Sequence, residues 1–498
     1  MTINHWIDGH LVTDEPARTA PVTNPATGAE TDRVALASTE DVDRAVASAA
    51  TAYDTWRHSP LTRRQGIMFA LRDLVDRRRH DLAKVITAEH GKTIDDALGE
   101  VQRGLEVIEF ACNIAHLLKG DYSEQVSTGV DTWSIRQPLG VVAGITPFNF
   151  PIMVPCWMHP MAIATGNTFV LKPSEKDPSV SLLMAELYAE AGLPEGVFNV
   201  VHGDKVAVDR LLEHPDVEAV SFVGSTPIAR YIHTTASTNG KRVQALGGAK
   251  NHMVVLPDAD MELAADAAVS AGYGSAGERC MAISVVVAVG DAADRLIPLV
   301  EERIATLRVG AGDADGSEMG PLITAEHRDR VAGYVDAGET AGATVVADGR
   351  NLVVEGHEGG FFVGPTLLDH VTPGMSVYTD EIFGPVLSVV RTDSYQAAID
   401  LVNANPYGNG TAVFTSDGGA SRLFQQQISV GMVGINLPIP VPLSFYSFGG
   451  WKNSAFGSHG IYGPEGVHFY TKQKVLISRW PDPMHRGVDL GFPASADD

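Results

Sequence analysis

From Gly140 onward the chain alternates short β-branched runs with helical stretches, and that alternation restricts it to parallel α/β sheets. The runs are Val141 to Ile145, Thr168 to Leu171, Val197 to Val201 and Ala219 to Val223. Helices are expected from Ser179 to Ala191 and from Lys205 to Leu212, where parallel strands require crossovers. A second series starts near His252 with Met253 to Leu256, continues through Ile283 to Val289, and extends to about Ser447. The stretch before the first series, Ser38 to Leu118, is charge-rich and helical, with Arg63, Arg64, Arg72 and Arg77 to Arg79 expected on a solvated face. It has the character of scaffold.

At 498 residues the chain exceeds one compact core, so two to four domains are expected. A net formal charge of −24 opposes nonspecific binding to nucleic acid or an anionic membrane, so any anionic ligand needs a local basic site. Cys112, Cys156 and Cys280 are odd in number and far apart, which fits a reducing compartment, and no metal-ligand spacing accompanies them. Residues 141 to 164 lack Asp, Glu, Lys and Arg, yet Pro147, Pro151, Pro155 and Pro160 argue against a membrane span. An apolar loop near a buried site is expected there. The amino terminus shows no basic-then-apolar signal, so the sequence indicates a soluble cytoplasmic protein without membrane or nucleic-acid partners.

Four short motifs carry the chemistry. Gly277-Glu278-Arg279-Cys280 places a thiol after a glycine-punctuated segment, although a lone Cys is also a common small core residue. Pro147-Phe148-Asn149-Phe150-Pro151 and Phe222-Val223-Gly224-Ser225-Thr226 precede it, and Glu381-Ile382-Phe383-Gly384-Pro385-Val386 follows. In this order they resemble the aldehyde dehydrogenase superfamily over nearly the whole chain. The resemblance implies an α/β fold with a Rossmann-like NAD-binding domain (residues 1–120 and 141–250), an α/β catalytic domain (251–455) and a β oligomerisation arm (121–140 and 456–498). A homotetramer or homodimer would follow from the arm.

The resemblance also implies roles. Cys280 would be the nucleophile, forming a thiohemiacetal and then a thioester, and the Asn149 amide would join the cysteine N–H as oxyanion donor. The alternative for Asn149 is a turn residue bonding its own loop. Thr146, Phe148, Lys172, Glu175, Lys176, Ser225, Gly247 and Glu381 would bind NAD: Lys172 and Glu175 at the adenosine ribose, Glu381 at the nicotinamide ribose. Glu175 favours NAD over NADP, because a carboxylate accepts from a ribose hydroxyl and repels a 2′-phosphate. No Gly-x-Gly-x-x-Gly fingerprint is present. Gly224-Ser225-Thr226-Pro227 can instead present amides to phosphate from a helix start, although such turns are also ordinary connectors.

One departure separates the chain from hydrolytic relatives. Their Glu-Leu-Gly-Gly-Lys segment supplies a general base, whereas Val243-Gln244-Ala245-Leu246-Gly247-Gly248-Ala249-Lys250 has no carboxylate between Val243 and Ala249. With Ala249 extra before the lysine, the register is open by one residue. Thiolysis by coenzyme A needs less assistance than hydrolysis. Together with Gly247-Gly248-Ala249-Lys250-Asn251-His252 and Arg279-Cys280-Met281-Ala282, this resembles the CoA-acylating methylmalonate-semialdehyde branch, which implies methylmalonate or malonate semialdehyde as substrate and coenzyme A as co-substrate. Arg103 and Arg279 would bind the substrate carboxylate. Spacing alone gives Arg103 a helix-surface ion pair with Glu100 or Glu106. A hydrolytic enzyme using Glu278, Glu381 or His252, and a noncatalytic scaffold, are the competing functions.

Overall fold

In the computed structural model, residues 2–480 are described, and the expected alternation forms two largely parallel sheets. The first runs Ala455–Phe456, Arg242–Leu246, Val217–Val223, Val141–Ile145, Thr168–Lys172, Phe198–Val200, Trp6–Ile7 and His10–Leu11. Its five central strands are parallel, and antiparallel pairs close both edges. Successive side chains alternate between its faces, so each face is covered by its own helices. Val220, Phe222, Val243 and Ala245 pack under the Thr39–Trp56 and Thr226–Thr238 helices. Val223 and Leu246 face the other way, into the core formed with the Leu61–Arg77, Ile94–Ala111 and Met153–Ala164 helices.

The second sheet is ordered Thr344–Ala347, Thr366–Asp369, Val386–Thr392, Ile283–Val289, Asn251–Val255, Gly410–Phe414 and Met432–Ile435, parallel except at its first pair. A smaller antiparallel sheet joins Tyr122–Ser127, Val130–Pro138 and Thr471–Arg479. It leaves Tyr122, Val126, Val475 and Ile477 exposed. Of the arm expected from the sequence, residues 481–498 lie outside those described. No helix among the described residues is long and apolar enough to cross a membrane.

Two expectations are corrected. The apolar stretch to residue 164 is not a loop: after the expected Val141–Ile145 strand it forms a turn and the buried Met153–Ala164 helix. Pro147 and Pro151 precede that helix, and Pro155 sits in its first turn, where the missing N–H has no intrahelical partner anyway. Pro160 forfeits one bond, to the Cys156 carbonyl, and complete burial of all twelve residues outweighs it. Arg64 is not on a solvated face. It is buried over Trp56 at 5.9 Å and donates to Ser59 Oγ (2.9 Å) and the Arg57 carbonyl (2.8 Å).

Candidate active site

Cys280 follows three consecutive residues in left-handed backbone: Ser275 (φ 52°), Ala276 (φ 52°) and Gly277 (φ 73°). Such a conformation costs a non-glycine residue on the order of 1–3 kcal/mol and persists only where surroundings enforce it. Here Asp96 enforces it. One carboxylate oxygen accepts the Ser275 N–H (3.1 Å) and the other accepts the Arg279 guanidinium, so both ends of the loop are held. Gly277 is required because a Cβ there would lie 2.3 Å from the Gly384 carbonyl oxygen. Beyond the loop, Asn251 and Asn409 donate to the Cys280 carbonyl at 2.9 and 3.1 Å, fixing the peptide that carries the thiol.

Burial, reinforced by the Glu381 carboxylate, pushes the Cys280 thiol up to about 12, while the N–H groups of Cys280 and Met281 and the Arg279 charge act against that rise. Burial therefore favours the protonated form of this thiol. Burial also pushes Glu381 up to about 7, opposed by the Ala249 N–H that donates to it at 2.9 Å and by the Lys250 charge. Glu278 is raised by burial to about 8. Its carboxylate lies 3.8 Å from His90 Nε2 and 3.5 Å from His327 Nε2, and burial holds both imidazoles below their ordinary value.

Asn149 is buried, and its side chain donates to the Glu278 carbonyl at 2.9 Å, so it does not simply bond its own loop. An amide has two hydrogens, and the second remains for a ligand. That contact ties the Pro147 to Pro151 turn to the cysteine loop.

Two cavities meet at Cys280. The larger, about 470 Å³, is lined by Phe148, Lys176, Ser225, Gly247 and Glu381 of the expected cofactor set. Thr146, Lys172 and Glu175 lie off its wall: Lys172 and Glu175 pair at 3.3 Å at the end of the Thr168–Lys172 strand, and Thr146 donates its N–H to the Lys172 carbonyl. The cavity fits a dinucleotide on three counts. Ser225 begins the Thr226–Thr238 helix without a side-chain cap, leaving its first amides for an anion. A Cβ on Gly248 would come within 2.2 Å of Glu381 Oε2, so bare backbone forms the wall. The buried Thr146 hydroxyl has no partner. Lys176, 4.9 Å over the Phe148 ring, and Arg330 supply the local positive charge that the net charge demanded.

The second cavity, about 330 Å³, holds Arg103, Arg279 and Asp96 among Met153, Trp157 and Phe448. Both arginines already hold an acid. Arg103 pairs with Glu106 at 2.9 Å, the helix-surface pair that spacing suggested, and Arg279 with Asp96. Glu100, the other suggested partner, is buried and pairs with Lys92 instead.

Strand pairing resolves the register around Ala249. Leu246 pairs with Val223, and both belong to the core against which Cys280 packs. Ala245 pairs with Phe222 on the opposite face. Of the two, Leu246 therefore lies on the thiol's side of the sheet, and it is apolar. His327, Arg330 and Asn409 also contribute to the site from outside the sequence motifs, and Asn251 does so from the Gly247 to His252 segment. The lysine that closes the segment, Lys250, donates to the Val377 and Asp380 carbonyls at 2.8 and 2.7 Å and so secures the Glu381 loop.

The aldehyde dehydrogenase family profile matches residues 11–476. A malonate-semialdehyde dehydrogenase of Pseudomonas aeruginosa is 53% identical over 495 residues, covering 99% of each chain. One from Geobacillus thermodenitrificans is 48% identical, covering 96% of this chain and 99% of its own. The crystal structure of a methylmalonate-semialdehyde dehydrogenase from Oceanimonas doudoroffii superposes with a TM-score of 0.96 at 55% identity, covering 97% of this chain and 99% of that one. A Sinorhizobium meliloti 1021 structure assigned the same activity, solved with NAD, gives 0.96 at 51% identity, with 97% and 99% coverage. With the thiol between two cavities and a glycine-walled cleft beside a helix start, these matches leave one conclusion: the chain belongs to the aldehyde dehydrogenase family.

Proposed function

We propose that the chain oxidises malonate or methylmalonate semialdehyde and passes the acyl group to coenzyme A, giving acetyl-CoA or propionyl-CoA with loss of the carboxyl group. The observation that carries this reading is Leu246. On the strand facing Cys280 no carboxylate is available to activate water, so the Cys280 thioester waits for a better nucleophile. The names of the bacterial relatives agree with it.

Cys280 Sγ, once deprotonated, attacks the aldehyde carbon. The Asn149 amide and the Cys280 N–H then stabilise the oxyanion. Bound NAD supplies the acceptor for the hydrogen and two electrons that leave that carbon. Glu381 and Ser225 would hold the cofactor, with Phe148, Lys176 and Gly247 forming its wall, and Lys172 and Glu175 would take the adenosine ribose beside Thr146. Glu175, 38% exposed at the side chain, keeps a carboxylate where NADP would bring a phosphate. Arg279 and Arg103 receive the substrate carboxylate. Carbon dioxide leaves the malonyl or methylmalonyl thioester, its bonding pair passing into the thioester enolate, which takes a proton; coenzyme A thiol attack on the remaining acetyl or propionyl thioester then forms the acyl-CoA and returns the proton-bearing Cys280.

The same reading takes residues 1–120 and 141–250 as the NAD-binding domain, 251–455 as the catalytic domain, and 121–140 with 456–498 as an arm. Exposed apolar side chains on the small sheet support association through that arm into a homodimer or homotetramer. Three free cysteines fit the cytoplasm. The test is mass-spectrometric identification of products from malonate semialdehyde and NAD, with and without coenzyme A. Acetyl-CoA formed only with coenzyme A, and slow turnover without it, is expected. Free acid at equal rates in both would transfer the assignment to a hydrolytic enzyme with Glu381 as base.

A further inference from the structure

The two oxyanion donors sit on loops far apart in sequence that touch through the Asn149 bond to the Glu278 carbonyl. Both loops are fastened to one helix. Ile94–Ala111 carries Asp96 and Glu100 four residues apart, which places them on one face. Glu100 is fully buried: Oε1 accepts the N–H groups of Ile152 (2.8 Å) and Met153 (3.2 Å), and Oε2 accepts Lys92 Nζ (2.7 Å). Lys92, equally buried, also donates to the Asn149 carbonyl (2.6 Å) and lies 4.3 Å over the Phe150 ring. The Asn149 loop is thus gripped at its carbonyl and at the turn that follows. One helical turn earlier, Asp96 grips the cysteine loop through Ser275 and Arg279, on either side of Ala276 and Gly277.

We propose that Asp96 and Glu100, the latter through Lys92, are positioning residues that set the spacing between the Asn149 amide and the Cys280 N–H. This rests on the thioester mechanism proposed above. A buried ion pair contributes little to stability compared with apolar residues of the same shape, and its charge here is spent on backbone groups of the donor loops. Displacing one donor by about 1 Å is enough to cost about 10²-fold in rate.

The experiment is a double-mutant cycle on the first-turnover rate of NADH formation, with propanal as substrate so that loss of Arg279 orientation toward a carboxylate does not enter. Glu100→Gln and Asp96→Asn should each lower that rate about tenfold to a hundredfold, with KM for NAD unchanged. In an Asn149→Ala background Glu100→Gln should cost less than about twofold more, because the donor it positions is gone, whereas Asp96→Asn should keep its full effect. If Glu100→Gln does not fold, as judged by its melting transition, Lys92→Met enters the same cycle. An effect of Glu100→Gln or Lys92→Met that multiplies in full onto Asn149→Ala overturns the proposal, as does a lowered melting temperature with a wild-type rate. Asn149→Ala alone turning over at the wild-type rate is a different result. It removes the oxyanion reading itself, and this inference with it.

Discussion

The two cavities that share Cys280 treat charge in opposite ways. On the cofactor side Lys176 and Arg330 join a wall made largely of backbone and glycine, with Ser225 opening an uncapped helix and Gly247 and Gly248 leaving room beside Glu381. On the substrate side the polar groups are side chains, and each arginine arrives already paired, Arg103 with Glu106 and Arg279 with Asp96. A backbone wall binds whatever brings the right anion. A paired arginine binds a carboxylate only to the extent that the new contact exceeds the old one, so discrimination on that side is a difference between two ion pairs. Acids behind the two walls differ as well: Glu278, behind the cofactor side, accepts the Ile323 N–H at 3.3 Å and has two neutral imidazoles beside it.

The largest expected effect is at the shared thiol. Cys280→Ala should abolish NADH formation while leaving NAD binding intact, whereas Cys112→Ala and Cys156→Ala should keep most activity. NADH release and cofactor titration measure the two halves of that claim, and near-normal turnover by Cys280→Ala would remove the covalent step. Next come the arginines. Losing one partner of a desolvated pair costs about 2–5 kcal/mol, so Arg279→Leu should reduce the preference for malonate semialdehyde over propanal by tens- to thousands-fold. Arg103, with a side chain 44% exposed, should show the smaller loss. Retained preference in both variants would mean that the carboxylate binds elsewhere and would erase the contrast between the cavities.

A third change should move the chain toward hydrolysis. Leu246→Glu places a carboxylate on the strand face toward Cys280, and a positioned base contributes about 10²-fold or more, so turnover without coenzyme A should rise. Ala245→Glu should not do this, since its side chain would enter the opposite core beside Phe222. Equal gains from both would refute the register given by the strand pairing. The smallest effect is on stability. Glu278 holds its proton in the folded chain up to about pH 8, against 4.5 ordinarily, so the unfolded chain releases that proton first as pH rises. Its contribution therefore becomes more destabilising from about pH 4.5 to 8 and is level above. Glu278→Gln should raise the melting temperature at pH 8 and change it little at pH 4, and an equal shift at both would show that Glu278 is ionised throughout.

Strands such as Val141–Ile145 and Ile283–Val289 were legible because runs of β-branched residues suit a buried parallel sheet whatever surrounds them. The Met153–Ala164 helix was not: its prolines speak against a helix locally, and only its burial against Ile94–Ala111 overrides them. Arg64 illustrates the same limit, since its partners Ser59, Arg57 and Trp56 form a pocket that no charge pattern announces. At the site, Cys280, Asn149 and Glu381 stand in motifs. Asp96 and Glu100 stand in an ordinary helical stretch and Lys92 in the short link before it, and their importance depends on contacts with loops that periodicity does not connect to them. Counting residues left Ala249 ambiguous, and the pairing of Leu246 with Val223 decided it.

The short strand Ala455–Phe456 completes the first sheet beside Arg242–Leu246, and its neighbour Ser454 bonds Gly247 and Gly248. A ribosome reaches that strand last. At about 5–20 residues per second, the roughly 210 residues between the two strands take about 10 to 40 s to synthesise. For that interval the nascent first half carries an unprotected sheet edge, which is a template for wrong pairing. The exposure is therefore set by the length of chain between two paired strands, and it lasts longest where translation is slowest.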